Sequence, residues 1–375
     1  MIGDGRRAPV WETDAWDPLP PLEKDADADV CVVGLGAAGL ACVKELRARG
    51  ARVIGIDARD AGAGAAGRNG GFLLAGLAEF HHRAAERHGR ARARALYLAT
   101  LAELDRQFES LPGITRRTGA LRIALSPDEA ADCEAQLAAM HADGLPAEPY
   151  DGPEGRGLLI PTDGAFDPLA RCRELAHRAA AAGARLFGRS AALAIEGSRV
   201  TTPRAHVRCD AVVVAVDGAL ERLLPELDSR VRTARLQMLA TAPTAELRLT
   251  RPVYARWGYE YWQQLPDGRI ALGGFRDAGR DDEWTFDATP SAGVQRELER
   301  FLREHLRVQA AITHRWAAPV SYSSTGLPVL EEVRPRVWAA GAYSGTGNVL
   351  GQLCGRSAAR LALGERDEIA TLIAN

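Results

Sequence analysis

Two glycine-laden stretches carry residue types that hold a ligand through the backbone. The first is GLGAAG, with Gly34, Gly36 and Gly39 at GxGxxG spacing. In such a pattern Gly34 permits a tight turn, Gly36 lets the backbone approach a pyrophosphate, and Gly39 allows a helix to pack closely on a strand. A helix opening at Ala37 and Ala38 aims unpaired amides and the positive end of its dipole at phosphate. Asp57 follows at about 20 residues, where a carboxylate accepts hydrogen bonds from a ribose 2′-hydroxyl. The pattern predicts an adenine dinucleotide, and Asp57 disfavours the 2′-phosphate of NADP relative to NAD or FAD.

The second stretch is AGAGAAGRNGGF, residues 61–72. A NAD-binding domain continues from its second strand into an ordinary crossover, whereas here the chain enters a loop stripped of side chains. That loop predicts a bulky, flat partner against its backbone, and an isoalloxazine ring is one. Ala58, Ala66, Gly67, Gly70 and Gly71 would bring main chain close to it. Arg68 and Asn69 would supply polar contacts to the pyrophosphate or the ring edge. FAD is therefore favoured over NAD.

The elements that must position these stretches alternate. Asp29 to Val33 reads as a strand, Ala37 to Arg49 as a helix stopped by Gly50, and Arg52 to Ile56 as a second strand, which together make one βαβ unit. Helical periodicity returns over 79–110, with Gly89 as a break, and over 128–142 and 168–182, while TGALRIAL between the first two is strand-like. Residues 184–195 and 199–208 predict a hairpin around Glu196, Gly197 and Ser198, and CDAVVVAV a buried strand. After Pro225 come broken strands with aromatics, among them YARWGYEYWQQLPDGRIALGGF with a turn at Asp267 and Gly268. Val337 to Ala342 resumes the buried-strand pattern, and 348–363 is a last long helix. The fold class is α/β.

A chain of 375 residues, 46% apolar and with formal charge −2, can bury a substantial core. The near-neutral balance predicts no nucleic-acid partner, and Arg90, Arg92 and Arg94 read as a solvated helix face. The absence of an apolar leader pattern and of a bilayer-length apolar run predicts no membrane partner and a cytoplasmic location. Cys31, Cys42, Cys133, Cys172, Cys209 and Cys354 show no CxxC spacing and read as reduced and buried. His81, His82 and His88 invite a metal reading, but His82 and Glu86 on one helical face are too few ligands, so no metal is expected. Asp281, Asp282 and Glu283 read as a solvated turn.

GLGAAG, GAAGRNGGF, RLQMLATAP, YWQQLPDGRIALGG, STGLPVL and AAGAYSGTGN fall in the order seen in FAD-dependent oxidoreductases of the D-amino-acid oxidase superfamily. The chain most resembles the branch containing γ-glutamylputrescine oxidase and related glycine and amine oxidases, over nearly its whole length. The resemblance implies a discontinuous, Rossmann-like FAD-binding domain over 1–80, 155–225 and 315–375. It also implies an inserted substrate domain on a mostly antiparallel sheet over 81–154 and 226–314. Ala192 and Ala215 would contribute cofactor contacts, Ala215 from AVDGAL, where Val216 and Asp217 replace the family's Thr and Asn. Gly345, Thr346, Gly347 and Asn348 would lie against the pyrimidine edge of the flavin, where fixed donors favour the reduced cofactor.

The implied reaction is hydride transfer from the carbon next to an amine nitrogen to flavin N5, giving an imine that hydrolyses, with O2 or another acceptor taking the electrons. The substrate would be a small amine or amino acid. Tyr261, with Trp257, Tyr259 and Trp262, would form an aromatic wall, and Arg276 or Arg315 would pair with a carboxylate. The chain departs from the family in several places. Its only lysines are Lys24 and Lys44, Thr346 stands where a His is usual, and Thr325 replaces an acidic residue before GLP. Oxidase and dehydrogenase therefore both stay open, as do a catalytically silent flavin-binding subunit and a NAD-linked dehydrogenase. Cys354 reads as a packing residue, without a covalent flavin bond.

Overall fold

A computed structural model describes residues 7–13 and 15–374. Residues 1–6 of the expected 1–80 segment, with 14 and 375, lie outside the described residues. The chain divides into two compact units. One takes Thr13–Gly67, Pro168–Ala234 and Pro319–Asn375; the other takes the described part of Met1–Glu12, Arg68–Asp167 and Arg235–Ala318.

In the first unit Ala26–Val33 pairs parallel with Val53–Ile56 on one side and with His206–Val214 on the other. Arg185–Phe187 extends the sheet beyond Val53–Ile56, and Val337–Gly341 lies parallel to His206–Val214. The central residues Val30 to Val33 and Ala211 to Val214 are buried without alternation, as strands covered on both faces must be. The helix Ala37–Ala48 ends two residues before Gly50, whose φ is +80°. The hairpin expected over 184–195 and 199–208 is much shorter. Only Ala194–Glu196 pairs with Arg199–Thr201, because residues 185–187 are taken by the parallel ladder to Val53–Ile56.

The second unit is built on an eight-stranded sheet in the order Ile312–Ser323, Val231–Thr241, Ile270–Gly274, Glu260–Gln264, Val253–Ala255, Ala120–Ile123, Gly155–Ile160, Glu148–Gly152. It is mixed, with Val253–Ala255 parallel to Ala120–Ile123 and the remaining pairings that carry the site antiparallel. One face is apolar: Leu121, Ile123, Val253, Ala255, Trp262, Leu239 and Leu272 pack there against Val294 and Leu298 of the helix Ala292–Arg300. Hydrogen-bond ladders set where this unit begins and ends. Gly155–Ile160 pairs with Glu148–Gly152, and Phe72–Leu73 pairs with Gly164–Phe166 in a separate three-stranded sheet, and residues 68–80 and 155–167 cluster with this unit. Residues 226–234 cluster with the parallel one.

Helix 79–110 is two helices, His81–His88 and Arg90–Ser110, broken at Gly89 with φ +87°. One charge reading changes and another is extended, since Arg90 and Arg94 are exposed and also make contacts. Arg90 pairs with Asp143 and donates to the Ala142 carbonyl, and Arg94 donates to that of Asp143, so these arginines hold the C-terminal end of the helix Pro127–Ala142. Glu283 is fully buried, bridged by Arg235 Nε and one of its terminal nitrogens and accepting from Gln237 and the Ser291 hydroxyl. Sequence pattern reads it as solvated because the arginine and the glutamine that hold it are 48 and 46 residues away in the chain.

Candidate active site

In the first unit the site is backbone. A Cβ on Gly39 would stand 1.7 Å from the Gly34 carbonyl oxygen, and one on Gly34, whose φ is +100°, would stand 2.6 Å from that of Ala215. The turn is therefore closed to side chains. The helix beginning at Ala37 and Ala38 has Gly36 as its N-cap, no side-chain cap, and no acidic residue in its first turn. Asp57 closes the second strand, its two oxygens accepting from Leu35 N at 2.9 Å and Arg59 N at 2.8 Å. Burial pushes its carboxyl up, and those two amides pull it back. Each oxygen keeps a second lone pair for a hydroxyl donor. Ala58 beside it is exposed, Ala66 packs 3.3 Å from where a Gly36 Cβ would be, and Ala192 rests half-buried on the core.

A second glycine turn precedes the helix Leu350–Ala362, which also has no side-chain cap. Ala342, Ser344 and Gly345 all have positive φ. The Thr346 hydroxyl and amide both donate to the Tyr343 carbonyl, at 2.8 and 3.0 Å, and Gly347 lies against the Tyr343 ring. Asn348 accepts from the fully buried Arg171 through its carbonyl, at 2.9 Å, and its side chain, at 3.2 Å. Asp217 accepts from Tyr343 N and Ser321 N; burial pushes its carboxyl up to about 6 against those amides. A Cβ on Gly355 would meet the Ala38 carbonyl at 2.0 Å, so the first turn of one helix touches the second turn of the other. Two adjoining helices, each opening uncapped from a glycine turn, fit a dinucleotide with a pyrophosphate and a polar ring edge.

In the second unit the site is side chains. Arg68 donates to the Ala317 carbonyl and accepts from Trp316 Nε1 at 2.7 Å; Asn69 accepts from Gly71 N and from Trp11 Nε1. Gln263 donates to the carbonyls of Gly70 and Gly71. A Cβ on Gly70 would stand 3.1 Å from the Tyr261 ring, and one on Gly71 2.5 Å from the Phe166 carbonyl oxygen. Gly67, in the other unit, is hemmed in by the Gly62 carbonyl. Part of what strips this loop of side chains is the protein itself.

Tyr261 faces Phe72 edge-on at 5.9 Å and stacks on Tyr254 at 5.8 Å. The expected aromatic wall divides. Trp262, one residue on in the strand, points into the opposite core onto Phe301, and Trp257 is exposed, donating to Asp132. Tyr259 lies under Arg256 and Arg276. Arg276 also sits over the Trp284 ring, and Arg315 is bound by Gln295 at 3.0 Å and Glu299 at 2.6 Å. Arg315 thus already holds a carboxylate.

Sequence reading passed over Tyr254, Arg122 and Arg171. Period-two alternation pairs Tyr254 with Tyr261 across strands, and a lone arginine inside ALRIAL is a visible signal. Arg171 carries none, since only the fold brings Asn348 to it. His81 bonds Asp143 at 2.7 Å and His88 bonds Glu79, and among the described residues no metal-holding group of three occurs. All six cysteines are free and buried. Among the described residues no helix is long and apolar enough to cross a membrane.

The family model for FAD-dependent oxidoreductases (DAO) matches residues 29–361. A protein of Rhizobium meliloti strain 1021 named probable oxidoreductase OrdL is 28% identical over 94% of this chain and 86% of its own length. The gamma-glutamylputrescine oxidoreductase of Escherichia coli K12 is 24% identical over 93% of this chain and 87% of its own. Glycine oxidase from Geobacillus kaustophilus superposes with a TM-score of 0.78 at 22% identity, covering 93% of this chain and 98% of that one. L-proline dehydrogenase from P. horikoshii does so at 0.73 and 19%, covering 93% and 96%. The match across most of the chain, on a fold shared with these flavoenzymes, makes this protein a member of the DAO family of FAD-dependent oxidoreductases.

Proposed function

We propose that this chain oxidises a small amine or amino acid at the carbon next to nitrogen, giving an imine that water hydrolyses, with electrons passing to O2 or another acceptor. The observation that carries the reading is the pair of adjoining uncapped helix ends at Ala37 and Leu350 in a chain of this family. The amides of Gly36, Ala37 and Ala38 would hold the pyrophosphate, Asp57 a ribose hydroxyl, and Gly345 to Asn348 the ring edge. FAD, when bound, supplies the two-electron acceptor for the C–H beside nitrogen. The protein holds the amine in place and keeps water from it. Tyr261, Tyr254, Phe72 and Met238, gathered around Gly70, offer an apolar floor that favours the neutral amine. A neutral amine needs no dedicated base, consistent with the Thr346 hydroxyl being committed to its own turn.

The relatives named for gamma-glutamylputrescine, glycine and proline all act on compounds with a carbon next to an amine nitrogen, which supports the reaction class. Both lysines are exposed, Lys24 ahead of the first strand and Lys44 on its helix, so slow reaction with O2 is expected. The test is anaerobic titration of the purified yellow protein with a panel of primary and secondary amines and amino acids, followed by air. Bleaching by at least one compound and recovery of colour in air support the reading. A flavin that stays oxidised across the panel overturns it in favour of a silent subunit.

A further inference from the structure

The face of the eight-stranded sheet opposite the apolar core carries one row of residues in register across five strands. Met238 pairs with Gly273, Gly273 with Tyr261, Tyr261 with Tyr254, and Tyr254 with Arg122. Residues in register share a face, and adjacent strands are about 4.8 Å apart, so Arg122 stands roughly 10 Å along the row from Tyr261. The near end of the row lies at the RNGG segment, where Tyr261 packs on Gly70 and Gln263 binds two of its carbonyls.

Arg122 is half-buried in an otherwise apolar strand. Its guanidinium lies 5.1 Å from the centre of the Phe80 ring, and among the described residues no ion pair or hydrogen bond engages it. Its titratable neighbours are Asp163, Tyr97 and Cys133, with Glu79 and His81 lining the same small cavity. Asp163, accepting from Ala75 N at 3.0 Å, is fully buried, and burial pushes its carboxyl up to about 7 in spite of that amide and of Arg122. Burial pushes the Tyr97 hydroxyl and the Cys133 thiol up as well. A half-buried guanidinium engaged by a ring alone keeps its donors for an acceptor, and a carboxylate matches its planar fork. The two arginines of this unit that sequence favoured for a carboxylate are otherwise engaged, Arg315 by Glu299 and Arg276 over two rings.

We propose that Arg122 docks a carboxylate at the far end of the substrate, several bonds from the amine that is oxidised, with Tyr254 and Tyr261 as the floor between. The substrate class is then an elongated amine carrying a remote anionic group. This rests on the amine-oxidising reading above and deepens it.

The test compares ω-amino acids of increasing length with n-alkylamines of matching length, in anaerobic bleaching by the wild type, Arg122→Leu and Arg122→Lys. The wild type is expected to prefer the ω-amino acids at one range of lengths by roughly 10–100-fold in half-saturating concentration. Arg122→Leu loses that preference, its response to the ω-amino acids falling to that for the alkylamines, and Arg122→Lys keeps part of it. A readout independent of turnover is calorimetric titration of the apoprotein and of the FAD-loaded protein with glutarate, expected to bind about tenfold more weakly to Arg122→Leu. Equal response of both amine series in the wild type, or unchanged glutarate affinity in Arg122→Leu, overturns the proposal. Should no amine bleach the flavin, the underlying reading fails while the glutarate titration still decides Arg122. Should the leucine variant not fold, the lysine variant decides, since loss of fork geometry at constant charge must weaken glutarate binding.

Discussion

The two units build their candidate sites from different material. In the unit holding GLGAAG the site is main chain, made of amides at the open ends of two helices and a turn at Gly34 and Gly39 where a Cβ has no room. In the unit holding Tyr261 it is side chains, selected by which face of a sheet they occupy. At Gly34 and Gly39 a backbone site tolerates almost no change, because the clash there is with other backbone. A side-chain site can be retuned one residue at a time while the sheet stands.

The largest expected break is Gly39→Val, which drives side-chain atoms into the Gly34 carbonyl. A loss of about 4 kcal/mol or more in urea unfolding is expected, with no flavin retained on purification. Next comes Glu283→Ala, which takes the buried carboxylate from Arg235 in the other unit and leaves it Asp287 at 3.4 Å. Unfolding stability should fall by about 3–5 kcal/mol.

Asp163→Asn sharpens the contrast through pH. A carboxyl at about 7 in the fold against an ordinary 3.8 contributes stability that is present below pH 4 and lost as pH rises through 7. The variant keeps an acceptor for Ala75 N and does not titrate. At pH 8 it should therefore be more stable than the wild type by about 2–4 kcal/mol, and the gap should close at pH 4. Equal slopes of stability against pH in the two proteins would remove this account. The smallest effect belongs to Gly70→Ala, whose methyl meets a ring able to shift by a few tenths of an ångström. A cost of about 1 kcal/mol is expected, with flavin content unchanged and amine affinity altered. Loss of flavin from this variant would erase the distinction between the two kinds of site.

Legibility followed the same division. The strand, turn and helix at 26–48 could be read because a GxGxxG turn depends on residues within a few positions of one another. The hairpin at Gly197 was read too long because propensity cannot tell that 185–187 joins Val53–Ile56. Trp257, Tyr259, Tyr261 and Trp262 read as one wall, yet alternation along the strand sends Trp262 to the opposite face from Tyr261.

By itself the amino-acid sequence determined the α/β class, the dinucleotide turn and the family, because each is written in short-range spacing. Only the tertiary structure decided that Glu283 is buried, that Arg315 is occupied, and that Arg122 shares a face with Tyr254 and Tyr261. Strand register and tertiary pairing join residues 16, 48 and 132 positions apart in these three cases, and no local pattern encodes which of them will meet.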